Sequence, residues 1–296
     1  MRKRVTIAIS ILILLAAVGV TIAQSQLPMI GASALLYPSR RPSLRPAPEH
    51  CVERAFDGVG VRLSGWICTA DAVTNKPTVI YLHGIADNRD SSVSVIDRFL
   101  ARGFNVIAYD SRRHGRSEGD RCTYGFFEKQ DLKLVLDQAG VDRAILIGHS
   151  LGAAVALQAA AIDPRVTAVV AASTFSDLRT IATERAPAVF TPSLIDAAFA
   201  RAQHDAEFIV DDVSPLRAAT VITVPVFLIH GALDRETRPA HSERVFAALR
   251  GPKQLLLVTD AGHNDALRGD VWQKIEHWID ALPEHFAPAR LMAERH

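Results

Sequence analysis

The sequence predicts an α/β fold: a mostly parallel, eight-stranded sheet with helices on both faces and a short helical insertion placed as a lid. Three observations carry that expectation. Short apolar runs alternate with helix-spaced segments three times in succession between Pro77 and Ala161, and strand–helix alternation of that kind builds a parallel sheet through right-handed crossovers. Each run ends in a glycine-bearing or polar loop. Hydrophobic residues make up 49% of the 296 and aromatics 6%, enough for one large core and no reason to posit a second full domain. A formal charge of +1 gives no field for nucleic acid or strongly anionic partners.

The chain opens on Arg2-Lys3-Arg4 followed by an uncharged stretch of 19 residues, Val5 to Ala23. A basic flank before an apolar run is an export signal, with Thr21-Ile22-Ala23 offering a cleavage site. At about 1.5 Å per residue the run is also long enough to cross a hydrocarbon core of about 30 Å as an uncleaved anchor. Residues 1–26 are therefore expected to be a signal peptide or an N-terminal membrane anchor, and the apolar continuation from Leu27 to Leu36 tilts the choice toward the anchor. Either way the remainder is expected on the extracytoplasmic side. Residues 27–50, rich in proline and arginine between Pro38 and Pro48, read as an aperiodic linker. The folded domain is expected over residues 51–290.

That domain begins with an antiparallel hairpin, Cys51 to Phe56 and Val61 to Cys68, turning at Asp57-Gly58-Val59-Gly60. Cys51 and Cys68 sit near-symmetrically about the turn, so one cross-hairpin bridge is available in an oxidising compartment. Three free thiols, Cys122 included, is the alternative. Strands follow at Pro77–Leu82, Asn105–Tyr109, Ala144–Ile147, Val166–Ala172, Val224–Ile229 and Gln254–Val258, with helices at Ser91–Arg102, Phe127–Ala139, Leu151–Ala161, Ala240–Leu249 and Val271–Leu282. Leu178 to Ala219 holds no clear strand. Its prolines divide it into short helices, Ser193 to Gln203 the clearest, as a lid or a long crossover.

The centre of the chain is Gly148-His149-Ser150-Leu151-Gly152, where an apolar strand stops and a helix of small residues starts. The glycines stand where a side chain would collide as the backbone doubles back, which lifts the Ser150 hydroxyl above the strand end. A serine is a weak nucleophile unless a base takes its proton and an acid holds that base in one tautomer. His263 follows the last strand and Asp234 the one before it, both at carboxyl ends, where active sites of such sheets gather. The order Ser150, Asp234, His263 matches the expected one. Asp260 and Asp265 flank His263 as competing acids, the first a turn residue and the second a helix cap or pocket residue. A carbonyl under attack also needs two donors for its oxygen. The Leu151 backbone N–H is one, and the Ile85 N–H, turned inward by His83-Gly84, is the other.

The remaining polar residues have plainer expectations. His83 holds its loop through a ring hydrogen bond, and His149 shapes or packs the pocket. The several histidines at strand ends lack any H-E-x-x-H or paired cysteines, so no metal and no cofactor is expected. Arg112-Arg113 is a solvated or loop-fixing pair, with contact to an anionic substrate as the alternative. Glu128 and Asp131, at a helix start, complement its dipole.

His83-Gly84, Asp110 to Gly119 in the manner D-x-R-x-H-G-x-S-x-G, Thr123 to Asp131 as T-x-G-x-x-E-x-x-D, Gly148 to Gly152, His230 to Asp234 and Gly262-His263 make the chain resemble the alpha/beta-hydrolase superfamily. The likeness is to its single-domain serine esterases, lysophospholipase-like proteins and serine aminopeptidase-like members, and covers Cys51 to Leu282. It implies Ser150 as nucleophile, Asp234 as acid, His263 as base, and Ile85 and Leu151 as oxyanion donors. The N-terminal segment resembles a membrane-associated branch with lysophospholipase or acyl-protein thioesterase activity, implying small-molecule or lipid esters as substrates. A peptidase or amidase on the same apparatus and a non-catalytic, membrane-tethered binding domain are the alternatives. One departure is the added Arg113 in the D-x-R-x-H loop. The sequence assigns no oligomeric state.

Overall fold

The computed structural model describes residues 25–71 and 75–282. Eight strands form one sheet: β1 (Cys51–Asp57), β2 (Arg62–Cys68), β3 (Thr78–Leu82), β4 (Val106–Tyr109), β5 (Ala144–His149), β6 (Val166–Ala172), β7 (Val226–Gly231) and β8 (Lys253–Val258), in the spatial order β1-β2-β4-β3-β5-β6-β7-β8. The β1/β2 and β2/β4 joints are antiparallel and the remaining five parallel. The chain leaves β3 for β4 on one side and returns to β5 on the other. That reversal opens a crevice at the carboxyl ends of β3 and β5, where Leu82 and Gly148 stand opposite each other.

Helices cover both faces because both faces of the parallel strands are apolar; every residue of β6 is buried. Leu132, Val135 and Leu136 of α3 (Glu128–Gln138) pack with α4 (Leu151–Ala160) and with Val245 of α8 (Ala240–Ala248) on one face. Val95, Ile96 and Phe99 of α2 (Val93–Leu100) and Ile275 and Ile279 of α9 (Val271–Asp280) fill the other. Burying such a side chain stabilises the fold by about 1.5–3 kcal/mol before entropy is counted. The hairpin register sets Cys51 opposite Cys68, and the two form a disulfide, while Cys122 is free and buried.

A third apolar cluster lies beyond the strand ends. Residues 178–219 contain α5 (Leu178–Arg185), α6 (Pro192–Ala206), a short 3-10 turn and α7 (Pro215–Ala219). Leu178, Ile181, Phe199 and Phe208 from this stretch, with Phe175 just before it, pack with Ala32 and Leu36. The last two belong to a helix over residues 25–36, here α1.

This corrects the expectation of a linker over residues 27–50. Ala32 and Leu36 are one helical turn apart and fully buried, and the helix end is held by the Cys122 N–H on the Leu36 carbonyl at 3.0 Å and the Tyr124 hydroxyl on the Leu35 carbonyl at 2.9 Å. The proline–arginine stretch that follows has no regular structure but is fastened down. Asp90 accepts the backbone N–H groups of Leu44 and Arg45 at 2.9 and 3.2 Å, and the Asn88 amide donates to the Arg41 carbonyl at 3.2 Å. The expected export or anchor segment lies, but for Ser25 and Gln26, outside the described residues. Among the described residues no helix is long and apolar enough to cross a membrane. Residues 283–290 of the expected domain also fall outside them.

Candidate active site

The turn from β5 into α4 is sharp enough to place Ser150 at φ 51°, ψ −110°, a conformation that costs a non-glycine residue of order 1–3 kcal/mol. Its neighbours make the turn possible. A Cβ at Gly148 would lie 2.3 Å from the Gly152 carbonyl oxygen, and one at Gly152 would lie 2.0 Å from that of Leu82. The Ser150 N–H is held by the Ala172 carbonyl at 2.8 Å, tying the bend to the next strand.

Three strand ends bring three side chains together. His263 Nε2 lies 2.9 Å from Ser150 Oγ, and His263 Nδ1 lies 2.7 Å from Asp234 Oδ2. Asp234 Oδ1 accepts the N–H groups of Glu236 and Thr237 at 2.9 and 2.8 Å. Burial disfavours the charged carboxylate, but hydrogen bonds from His230, His263 and the Thr237 N–H outweigh it and hold Asp234 well below the usual carboxylate range. With Asp234 charged, Nδ1 carries the proton and Nε2 presents its lone pair to the serine hydroxyl. Asp260 is exposed and Asp265 pairs with Arg268, so Asp234 is the carboxylate at His263.

The loop after β3 crosses over this group. A Cβ at Gly84 would stand 3.7 Å from the Ser150 Cβ, so the loop passes directly beside Ser150 just before Ile85. The His83 ring is fixed at both nitrogens: Nδ1 donates to the Gly84 carbonyl at 2.7 Å and Nε2 accepts the Ser111 N–H at 3.0 Å. Burial lowers the His83 pKa, which keeps that neutral tautomer in place. Leu151 opens α4, so its N–H is one of the four that a helix leaves without an internal acceptor.

His149 does more than pack. Its Nε2–H donates to the His263 carbonyl at 2.9 Å, and Ser173 Oγ donates to the same oxygen at 3.1 Å, so the backbone carrying the imidazole is held from two strands. His230 is a partner that sequence reasoning did not single out. It donates from Nε2 to the Thr237 carbonyl at 2.7 Å with Asp234 Oδ2 at 3.2 Å, and its Nδ1 accepts from Ser242. Its one signal is its place in His230-Gly231-Ala232-Leu233-Asp234.

The arginine loop is structural. Arg112 is buried and makes two parallel bonds to Asp131, at 2.7 and 2.8 Å, and Arg113 lies over the Tyr37 ring. Glu128 accepts from the N–H groups of Thr123 and Gly125, each at 2.7 Å. Gly115, at φ 48°, passes so close to the Asp110 carboxylate that a Cβ would meet it at 2.1 Å. Among the described residues no group of three or more His, Cys, Asp or Glu is placed to hold a metal ion.

Beside Ile85 opens an apolar cavity of about 390 Å³, bounded by Tyr124, by Leu178 and Phe199 of the inserted helices, and by α1. Arg185 at its edge is turned away, donating to the Glu236 carbonyl at 2.7 Å and to Thr237 Oγ1 at 2.8 Å. That pair of bonds ties α5 to the loop carrying Asp234.

A family model described as the alpha/beta hydrolase fold matches residues 77–223. The uncharacterised protein YfhR of Escherichia coli K12 is 30% identical over 237 residues, which cover 75% of this chain and 78% of YfhR. YqkD of Bacillus subtilis, also uncharacterised, is 32% identical over 196 residues, 63% of this chain and 64% of YqkD. Among solved structures, the Pyrococcus furiosus esterase Pf2001 aligns with a TM-score of 0.63 at 24% identity over 82% of this chain and 95% of its own. Mouse alpha/beta hydrolase domain-containing protein 10 aligns with a TM-score of 0.63 at 23% identity over 78% of this chain and 100% of its own. Likeness at that identity speaks to fold.

Proposed function

Given that the chain belongs to the alpha/beta hydrolase family, we propose that it is a serine hydrolase that cleaves carboxylic esters, lipid esters included, by acyl transfer from Ser150 to water. The observation that carries this reading is the unbroken run of hydrogen bonds Ser150–His263–Asp234 at 2.9 and 2.7 Å. Ser150 Oγ bonds to the ester carbonyl carbon as its proton passes to His263 Nε2. The carbonyl oxygen gains the electron pair and is held by the Ile85 and Leu151 N–H groups, each donor worth about 3 kcal/mol in the transition state. His263 returns the proton to the departing alcohol. Water then attacks the acyl-enzyme with His263 again as base, releasing the acid and restoring Ser150. Asp234 stays charged throughout and stabilises the imidazolium.

An ester is favoured over an amide or thioester by no single contact, and paired assays on one acyl group assign the leaving atom. The membrane placement belongs to the same proposal: residues 1–26 hold the domain on the extracytoplasmic side, which accords with the Cys51–Cys68 disulfide. A mature chain beginning at Gln24 would remove the anchor.

The test is labelling with a fluorophosphonate followed by peptide mapping. Label is expected on Ser150, and Ser150→Ala should lose both label and at least about 10³-fold of butyryl ester turnover. Full turnover by Ser150→Ala would end the proposal.

A further inference from the structure

We propose that helix α1 is part of the substrate site: with α5 and α6 it encloses a subsite for one unbranched acyl chain, which enters from a lipid surface. This rests on Ser150 being the acylated residue. Ile85, whose N–H the proposed reaction sets on the ester carbonyl oxygen, lines the cavity, and on that reading the chain that fills it is the acyl side of the bond.

Its chemistry selects hydrocarbon. The one charged residue at its wall, Arg185, has its guanidinium bonded to Glu236 and Thr237, and the rest of the lining is aliphatic, aromatic or glycine. Its size selects a single chain. About 390 Å³ stands near the lower end of ligand cavities, which run from about 300 to 1,000 Å³. The width is set where α1 meets α6: a Cβ at Gly31 would lie 2.9 Å from both the Ala198 Cβ and the Phe190 ring. The helices cannot come closer there, and only glycine lets them come so close.

The source of the chain follows from what α1 continues. The apolar run from Val5 to Ala23 ends just before residue 25, with no charged residue until Arg40, and α1 carries Met29 and Ile30 exposed. Val189, in the link between α5 and α6 and next in sequence to the lining residue Phe190, is exposed as well. A soluble carrier would gain nothing from these exposed side chains, whereas a lipid surface covers them and delivers an acyl chain directly into the opening.

The experiment uses the full chain in neutral detergent with acetyl, butyryl, decanoyl and palmitoyl p-nitrophenyl esters. Turnover should peak at decanoyl. Ala34→Phe on α1 and Ala182→Phe on α5 each enlarge a residue of the cavity lining, and each should lower kcat/KM for decanoyl ester about tenfold or more, as one excluded methylene can. Acetyl ester turnover should change by less than about twofold, since its acyl group ends before the cavity. An unchanged decanoyl-to-acetyl ratio in both variants overturns the subsite, with hydrolysis itself intact. A second readout is independent of hydrolysis: Ser150→Ala should bind a fluorescent decanoyl probe, and Ala34→Phe in that background should weaken it about tenfold. Probe binding without any esterase activity in the unsubstituted chain would sink the proposed reaction and leave the subsite standing. Finally, decanoyl ester offered in phosphatidylcholine vesicles should turn over faster than the same ester in water, and Met29→Glu should erase the difference. Equal rates from both presentations in the unsubstituted chain overturn the lipid source.

Discussion

Asp234→Asn is the substitution whose effect the geometry specifies most closely. Oδ1 accepts two backbone N–H groups, from Glu236 and Thr237, and an amide oxygen can accept both. The new side chain is thereby oriented, and its NH₂ stands where Oδ2 stood, 2.7 Å from His263 Nδ1. An amide nitrogen there is a donor, so Nδ1 must become the acceptor and the ring proton moves to Nε2. That nitrogen then donates to Ser150 Oγ and cannot receive its proton. The imidazolium also loses its counter-charge. Together these changes should lower kcat for butyryl ester by about 10⁴, which is about 5.5 kcal/mol of barrier. KM should hold, because no cavity wall moves. The assay is steady-state release of p-nitrophenol alongside the fluorophosphonate labelling rate, which should fall in step, with circular dichroism to show an unchanged fold. A folded variant within tenfold of the original rate would refute the assignment of Asp234 as the group that sets the His263 tautomer.

Two further outcomes test the scaffold. Arg112→Ala leaves the Asp131 carboxylate buried without its bidentate partner and should cost about 3–5 kcal/mol in urea unfolding while activity per folded molecule is kept; a loss below about 1 kcal/mol would remove the pair from the fold's supports. His114 is buried and its pKa is lowered to about 4, by burial first and the neighbouring His83 second. The unfolded chain therefore takes up a proton below about pH 6.5 that the folded chain refuses until about pH 4, so this contribution is complete above the former and lost as pH falls toward the latter. His114→Asn keeps a donor for the Arg112 carbonyl and removes the titration. Unfolding midpoints at pH 7 and 4.5 should drop less in the variant, by an amount equivalent to about 2 kcal/mol; parallel drops would contradict it.

Much of this arrangement was legible because it is written locally. Strands β3 to β8 are apolar runs bounded by glycine or polar residues, and the three side chains that meet at the crevice each follow one of them closely: Ser150 between Gly148 and Gly152, Asp234 after Gly231, His263 after Gly262. What escaped is what depends on distant partners. Helix α1 is apolar toward the core at Ala32 and Leu36, toward the cavity at Leu35, and outward at Met29. It therefore shows no polar face and merges in sequence with the run before it. The proline–arginine stretch has no period at all, and its order comes from Asp90 and Asn88, more than forty positions away. Arg112 reads as a surface charge because its partner stands on another element, 19 residues on.

The clashes that force glycine at positions 148 and 152 are with backbone atoms, the carbonyl oxygens of Gly152 and Leu82. A crowded side chain can be relieved by trimming its neighbour, but no second substitution can trim a peptide group. Suppressor screens against Gly148 or Gly152 variants should accordingly return only reversions. The same logic separates two kinds of information in the five-residue turn. Its glycines would be retained by any descendant that kept the bend, including one that had abandoned hydrolysis. In the proposed reaction Ser150 is the residue of the turn whose side chain is acylated, and a change there, with both glycines intact, would mark a lineage that had kept the shape and given up that chemistry.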